Sequence, residues 1–113
     1  MAHTRIKGQR KGLEVLNVGD KEYHKLYKTV IVERDGDKVT LNTGGWKTNH
    51  TKNCMNDFLK RFGFGVYQKD FVWYVRGREV SFSFDVDKVT FTILYTSKGF
   101  QMGNFKEEVI RTA

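Results

Sequence analysis

The sequence predicts an α+β fold in which a twisted antiparallel sheet of about five to seven strands packs on one central helix. Two observations lead to this prediction. Most of the chain alternates apolar and polar residues, which is the period of strands, and glycine and aspartate mark the turns. One internal segment changes to the helical period of about 3.6 residues. The pattern leaves open whether the sheet closes into a barrel.

The 113 residues suffice for one domain with its own core and are too few for two. We assign residues 1–12 to a flexible basic arm, because they carry four cations and two glycines but only one isoleucine. Residues 13–113 are predicted to form a single α+β domain. A composition that is 39% hydrophobic and 14% aromatic favours a folded protein over a disordered one.

Strands are predicted on both sides of the first clear turn. Residues 13–18 are expected to form a short strand that ends at Gly19 and Asp20. The segment TVIVERDGDKVTLNT predicts a hairpin, because β-branched residues flank the Asp-Gly-Asp turn at residues 35–37.

The helix follows the hairpin. Four apolar residues recur at i, i+3, i+4 and i+7, which places them on one stripe of an α-helix. These residues are Met55, Phe58, Leu59 and Phe62. We predict a helix over residues 49–62, with Thr48, Asn49 or Thr51 as its N-cap. Gly63 stands where a left-handed C-terminal cap is expected.

The remaining chain returns to alternation. Four more antiparallel strands are predicted, at residues 66–69, 71–76, 79–84 and 88–95. In the second of these, Phe71, Trp73 and Val75 share one face, which we expect to lie in the core. Asn104 followed three residues later by Glu107 resembles a capping arrangement and predicts a short C-terminal helix, FKEEVIRT.

The net charge of +7 and the pI near 9.6 suggest an acidic partner, such as nucleic acid, an anionic membrane surface or an acidic protein. Residues 1–13 carry +4 and residues 47–61 carry +3, whereas the rest of the chain holds 12 basic and 12 acidic residues. Such clustering is what attraction to a polyanion requires. The alternative is a basic tail and an ordinary solvated helix face.

The segment LNTGGWKTNHTKN links the hairpin to the helix and is rich in groups that hold phosphate. A helix N-terminus favours anions, and glycine allows a backbone to approach closely. The candidate phosphate-binding residues are Gly44, Gly45, Lys47, Thr48, Thr51 and Lys52. A purely structural alternative is that the glycines make a tight turn, Trp46 seals the core and Thr48 caps the helix.

Aromatic residues interleaved with cations form a second candidate surface. Exposed rings beside basic residues are typical of proteins that stack the bases of single strands. By alternation Tyr67 and Tyr74 are the better stacking candidates. The cations expected to assist are Lys69, Arg76 and Arg78 on the strands, Lys60 and Arg61 at the helix end, and Arg5, Lys7, Arg10 and Lys11 in the arm.

Catalysis has weak support. His50 and Cys54 are four residues apart on one helix face, but two ligands do not make a zinc site, and the chain lacks the Walker and Rossmann spacings. A Cys-His nucleophile pair is the enzyme alternative. We therefore expect no enzyme activity, no metal and no cofactor. With a single cysteine, no apolar run of membrane-spanning length and no signal peptide, the expected location is the cytoplasm, without a membrane partner.

The run from residue 41 to residue 75 resembles a segment of small, mostly uncharacterised bacteriophage-encoded proteins. Those proteins carry an L-N-[ST]-G-G-W-x-T-x-x-T-K pattern, then Met-Asn, then a strand pair similar to V-x-Q-x-x-x-x-W-Y-V. The matching residues are Leu41, Asn42, Thr43, Gly44, Gly45, Trp46, Thr48, Thr51, Lys52, Met55, Asn56, Val66, Gln68, Trp73, Tyr74 and Val75. The resemblance implies a phage origin, and with it a nucleic-acid accessory factor or an inhibitor of a host protein.

The sequence thus favours a non-enzymatic protein that contacts the phosphate backbone of DNA or RNA through the loop before the helix. The alternative is a small phage inhibitor that binds a host protein for host takeover or anti-defence. In either case the expected location is the host cytoplasm.

Overall fold

Ten strands and one α-helix follow one another in a computed structural model that describes residues 3–7, 10–77, 80–84 and 87–108. The strands are β1 (His3–Lys7), β2 (Leu13–Val18), β3 (Lys21–Leu26), β4 (Thr29–Asp35), β5 (Lys38–Asn42), β6 (Gly65–Lys69), β7 (Val72–Arg76), β8 (Ser81–Phe84), β9 (Lys88–Thr96) and β10 (Gly99–Glu108). Helix α1 (Asn49–Leu59) lies between β5 and β6 and continues into a short 3-10 helix, Lys60–Phe62.

The strands form two antiparallel sheets. The larger sheet has the order β1-β2-β3-β4-β5-β9-β10, and the smaller has the order β6-β7-β8. Neither order returns to its first strand, so within the described residues the sheets stay open and no barrel forms. The predicted α+β class is confirmed, but the strands divide between two sheets where the sequence predicted one.

Helix α1 begins at the predicted residue but ends at Leu59, and the last three residues of the predicted helix form the 3-10 turn. The Thr48 hydroxyl accepts a hydrogen bond from the Thr51 amide at 3.2 Å, which satisfies one of the free donors of the first turn. After the 3-10 turn, Gly63 adopts a left-handed φ of 77°. The helix buries a stripe that includes Met55, Phe58 and Leu59. Each such side chain stabilises the fold by about 1.5–3 kcal/mol.

The helix contacts both sheets. The Asn56 side chain donates to the Val66 carbonyl at 3.0 Å and accepts from the Val66 amide at 2.6 Å, so it completes the backbone pairing of β6. On the larger sheet, Phe58 packs edge-to-face on His24 of β3, with the ring centroids 5.1 Å apart. One helix therefore fixes β6 relative to β3 and β4.

A single apolar cluster lies between the sheets and the helix. It includes Phe91 of β9, Trp73 of β7 and Phe84 of β8, all at most 2% exposed. Phe82 and Phe105 stack with their centroids 4.4 Å apart and join β8 to β10. The smaller sheet thus has one face against this core and the other toward solvent.

An ion network ties the helix end to the larger sheet. The Arg61 guanidinium donates to both carboxylate oxygens of Glu22 at 2.8 and 2.9 Å, and His24 Nε2 lies 2.5 Å from one of them. Burial opposes ionisation of Glu22, but the hydrogen bonds from His24 and Arg61 and the charge of Arg61 outweigh it and lower the pKa of Glu22 to about 2.

Both ends of the described chain differ from the prediction. The predicted helix covers residues 105–112, of which 109–112 lie outside the described residues. Residues 105–108 belong to β10, which pairs with β9 despite a register shift between Gly103 and Lys106. Asn104 takes a left-handed φ of 52° there, so its helix-cap pattern reflects a bulge. In the segment assigned to a flexible arm, β1 pairs with β2. A further strand that the sequence analysis missed is β3.

The turn between β6 and β7 differs from its prediction as well. Lys69 pairs with Val72, so Asp70 and Phe71 form a two-residue loop, and both have positive φ, 52° and 67°. This is the signature of a type I′ turn, which favours Asn-Gly. Phe71 is 94% exposed, so its expected place in the core is wrong: it belongs to the turn and not to the strand.

We predict that Glu22→Gln lowers the free energy of unfolding at pH 7 by about 1–2 kcal/mol, after allowance for solvent around Arg61. Because the folded pKa is depressed, this stabilisation is present above the unfolded value of 4.5 and is lost as pH falls toward about 2. Urea unfolding across that range measures the effect. Exposed Glu33→Gln is the control. If the free energy of unfolding changed with pH in the same way for Glu22→Gln and for the wild-type protein, the account would be refuted.

We also predict that the double change Asp70→Asn and Phe71→Gly stabilises the fold by about 1 kcal/mol, because Asn-Gly adopts this turn with less strain. The exposed phenyl ring makes little packing contact to lose. Thermal unfolding measures the change. A lower melting temperature in the double variant would mean that Phe71 contributes to stability in a way the turn geometry does not show.

Candidate nucleic-acid interface

The loop before α1 uses its own oxygens to satisfy its amides. The Gly44 amide donates to the Asn42 side chain at 2.9 Å, and the Gly45 amide donates to the Thr43 hydroxyl at 3.2 Å. The Trp46 amide donates to the Thr43 carbonyl at 2.9 Å. A phosphate would reach these three amides only by displacing those bonds.

Thr43 anchors this loop to the start of β9. Its amide donates to the Asp87 carbonyl at 2.8 Å, and its hydroxyl donates to the Asp87 carboxylate at 3.1 Å. Thr48 and Thr51 share a hydrogen bond between their hydroxyls at 3.1 Å. The threonines of the candidate phosphate loop therefore first serve to hold the loop and cap the helix.

The two loop lysines lie in different settings. Lys47 is exposed. Lys52 is half-buried, and its ammonium lies 5.9 Å from the ring centroid of Trp73, so it points toward the smaller sheet. The predicted phosphate-binding cluster is thus divided between the loop and the space beside β7.

The solvent-facing side of the smaller sheet brings the predicted stacking residues together. We call this surface the outer face; it comprises Tyr67, Lys69, Tyr74, Arg76 and Ser81. Tyr67 lies directly opposite Tyr74, and their rings stack with centroids 5.0 Å apart and an angle of 10°. The Tyr67 hydroxyl reaches β8, where it lies 2.9 Å from the Ser81 hydroxyl. The opposite side of the same strands enters the core.

A recess of about 420 Å³ adjoins the outer face and shares Tyr67 and Arg76 with it. Lys60 lines its other side, together with Arg10 and Asp57. Arg10 donates to the Asp57 carboxylate at 2.7 and 3.2 Å. Since the one carboxylate among the lining residues is paired with Arg10, the recess retains a positive balance from Lys60 and Arg76.

Several other predicted cations serve the fold or lie elsewhere. Arg61 is paired with Glu22, and its guanidinium lies 4.6 Å from the Phe58 ring centroid. Lys11 is exposed, and its carbonyl oxygen lies 2.8 Å from His50 Nε2. The side chains of Arg5 and Lys7 and the whole of Arg78 lie outside the described residues.

Trp46 is an exposed aromatic residue that the sequence analysis considered only as a core seal. It is 67% exposed and stands at the rim of a cleft in front of α1. Its place beside two glycines and a lysine was the one signal for a surface role, because such a turn carries its side chain away from the core.

The Cys-His pair is not arranged as an activated nucleophile. Cys54 is fully buried, and burial raises the pKa of its thiol, which is the opposite of what a reactive thiolate requires. His50 uses Nε2 on the Lys11 carbonyl. Among the described residues, no three His, Cys, Asp or Glu side chains are grouped to hold a metal ion. The absence of catalysis and of cofactors stays a prediction.

Nothing in the described ranges forms a helix both long enough and apolar enough to cross a bilayer.

The chain belongs to the family described as Kyanoviridae Gp96 protein, whose model matches residues 10–103. It is therefore a phage-encoded protein, and the phage origin implied by the sequence resemblance is confirmed. No curated protein and no solved structure matches the chain.

We predict that Gly44→Ala destabilises the fold more than Gly36→Ala does. Both glycines have φ near 60°, so both substitutions carry the same left-handed strain, about 1 kcal/mol. A Cβ on Gly44 would also lie 2.7 Å from Thr29 Cγ2, whereas a Cβ on Gly36 meets nothing within 4 Å. This overlap adds about 1–3 kcal/mol. If urea unfolding showed an equal loss of unfolding free energy in both variants, the contact between the loop and β4 would be unimportant.

Proposed function

We propose that this phage protein binds single-stranded nucleic acid across the outer face, without catalysing a reaction on it. The observation that carries the proposal is the convergence of two stacked tyrosines and two cations, Lys69 and Arg76, on one solvent-exposed sheet surface. Bases of a single strand stack on such rings at about 1–3 kcal/mol each, and neighbouring cations hold the phosphates.

The tyrosine pair is arranged before any ligand arrives. Tyr67 is held by its stacking on Tyr74 and by its hydrogen bond with Ser81, so little side-chain freedom remains to be lost on binding. Tyr67 nevertheless stays 37% exposed, which leaves ring surface for a base. A rigid and partly exposed aromatic pair favours a role in stacking bases over a purely structural role.

The charges near the tyrosine pair favour a polyanion. Lys69 and Arg76 lie on the outer face itself, and Lys60 lines the adjoining recess together with Arg76. Asp70, in the adjoining turn, is the nearest acid along β6 and β7. A strand whose bases stack on the tyrosines would pass its phosphates beside these cations.

Stacking on a sheet selects single strands over duplexes. Bases in a duplex already stack on one another, and their edges, not their faces, are accessible. The candidate phosphate loop contributes in this account through the side chains of Lys47 and its neighbours, because the amides of Gly44 and Gly45 are already bonded.

A host protein is the second candidate partner, and one observation favours it. Phe71 stands 94% exposed at the tip of a turn with two strained φ angles. Exposed aromatic anchors that insert into a partner's pocket dominate many protein interfaces. A complex captured from host lysate that survives nuclease and is lost on Phe71→Ala would support this candidate, whereas capture that disappears after nuclease treatment would count against it.

We predict that the double variant Lys69→Ala and Arg76→Ala weakens binding of a labelled single strand and lowers its salt dependence. For single strands the slope of log affinity against log salt is about −0.7 for each phosphate contacted, so two lost contacts reduce the slope by about 1.4. Fluorescence anisotropy over a series of salt concentrations measures it. Replacement of Tyr67 by leucine should cost about 1–2 kcal/mol of binding at every salt concentration.

The matched control removes two exposed lysines of the larger sheet, Lys25→Ala and Lys38→Ala, and thus changes the net charge equally. If this control lowers the salt slope as much as the outer-face variant does, binding is non-specific attraction. No binding of single-stranded DNA or RNA at about 50 mM salt would refute the proposed function.

A further inference from the structure

A cleft of about 540 Å³ opens between the β3–β4 turn and the loop before α1. Leu26 and Ile31, both buried, form its floor. Tyr27 stands at one rim and Trp46 at the other, and they are 60% and 67% exposed. Two large rings at the rim of one apolar cleft, with most of their surface in water, are typical of a binding site.

The first rim is held in a strained conformation. Tyr27 has a left-handed φ of 54°, which is rare for a bulky residue. Its amide donates to the Gly12 carbonyl at 2.8 Å, and its ring lies so close to Gly12 that a Cβ there would be 2.4 Å from Tyr27 Cε1. The hydrogen bond and the contact with Gly12 hold the ring at the cleft despite this strain. Left-handed residues held by their surroundings concentrate at ligand sites.

The second rim is fixed by the close approach of Gly44 to Thr29, which brings the loop against the start of β4. The Trp46 amide donates to the Thr43 carbonyl at 2.9 Å, which orders the backbone beneath the indole. The two walls of the cleft therefore hold their positions by contacts within the chain, and a ligand would enter a preformed space.

The polar lining indicates the chemistry of the ligand. Lys28 and His50 line the cleft together with Thr43, Thr48 and Thr51. Within the described part of the chain, none of the ten lining residues is acidic. An occupant that matches this lining has a planar apolar part for the two rings and a negative charge for Lys28.

We infer that the cleft takes one unstacked nucleobase of the bound strand, between Trp46 and Tyr27, with the attached phosphate toward Lys28. This inference rests on the proposed function, because the base belongs to the strand that crosses the outer face. An apolar side chain of a protein partner fits the two rings equally well but lacks the negative charge that Lys28 would meet.

Tryptophan fluorescence tests this inference, because Trp46 is exposed while the other tryptophan, Trp73, is 2% exposed. The protein is titrated with a labelled thymidine oligomer of about ten nucleotides and with an abasic oligomer of equal length and charge. We expect the thymidine oligomer to quench the Trp46 fluorescence and the abasic oligomer to quench it little. Anisotropy of the label reports in the same titration whether the strand binds at all.

Trp46→Leu and Tyr27→Asn should each lower the affinity for the base-bearing strand about tenfold and leave the affinity for the abasic strand unchanged. Asparagine tolerates the left-handed φ of residue 27, so this variant should keep the fold, and circular dichroism verifies it. Tyr95→Leu is the control, because it removes a ring that is 79% exposed and lies outside the cleft. It should change the affinity for neither strand.

The outcomes separate the two proposals. A strand that binds without quenching Trp46, and equally well in both variants, would overturn the cleft inference and leave the outer face in place. If the wild-type protein binds neither strand, both the cleft inference and the proposed function are overturned. Quenching by a capped tyrosine peptide but not by the strand would assign the cleft to a protein partner and would likewise overturn the inference.

Discussion

Helix α1 is the constraint on which the rest of the structure depends. Its apolar stripe enters the core, and its Asn56 side chain replaces a strand partner for Val66 at the edge of the smaller sheet. At the other end, Arg61 fixes the helix to Glu22 of the larger sheet. Without these contacts β6 would lack its inner support, and the face that carries Tyr67 and Tyr74 would lose its position.

This arrangement explains why the described basic residues do not form one patch. Arg10 and Arg61 lie in the two segments that hold the net charge, yet each is paired with a carboxylate that helps to seat the helix. Lys60 in the recess and the cations of the smaller sheet lie near the aromatic residues of the outer face. The clustering of charge along the sequence therefore does not correspond to a single cluster among the described side chains.

Much of the fold followed from local patterns. The stripe from Met55 to Phe62 and the cap at Thr48 identified the helix, and the Asp-Gly turn identified β4 and β5. The pattern failed where strand residues are mostly polar, as in KEYHKL of β3, or where a bulge at Asn104 breaks the alternation of β10. Division of the strands between two sheets depends on long-range pairing, which no local pattern encodes.

The outer face was predictable from the sequence, because alternation alone places Tyr67 with Lys69 and Tyr74 with Arg76. The cleft was not predictable in this way, because Tyr27 and Trp46 lie in separate turns that long-range contacts bring together, among them those of Gly44 with Thr29 and of Tyr27 with His50. The exposure of Phe71 was missed for a similar reason, since the alternating pattern continues through the turn.

Nuclear magnetic resonance tests the central claim most directly, by titration of the isotope-labelled chain with a short single strand. If the account is correct, the largest shifts fall on amides of β6 and β7 and on the ring resonances of Tyr67 and Tyr74. Shifts confined to β1, β2 or the far end of β10, with those rings unchanged while the strand is bound, would contradict it.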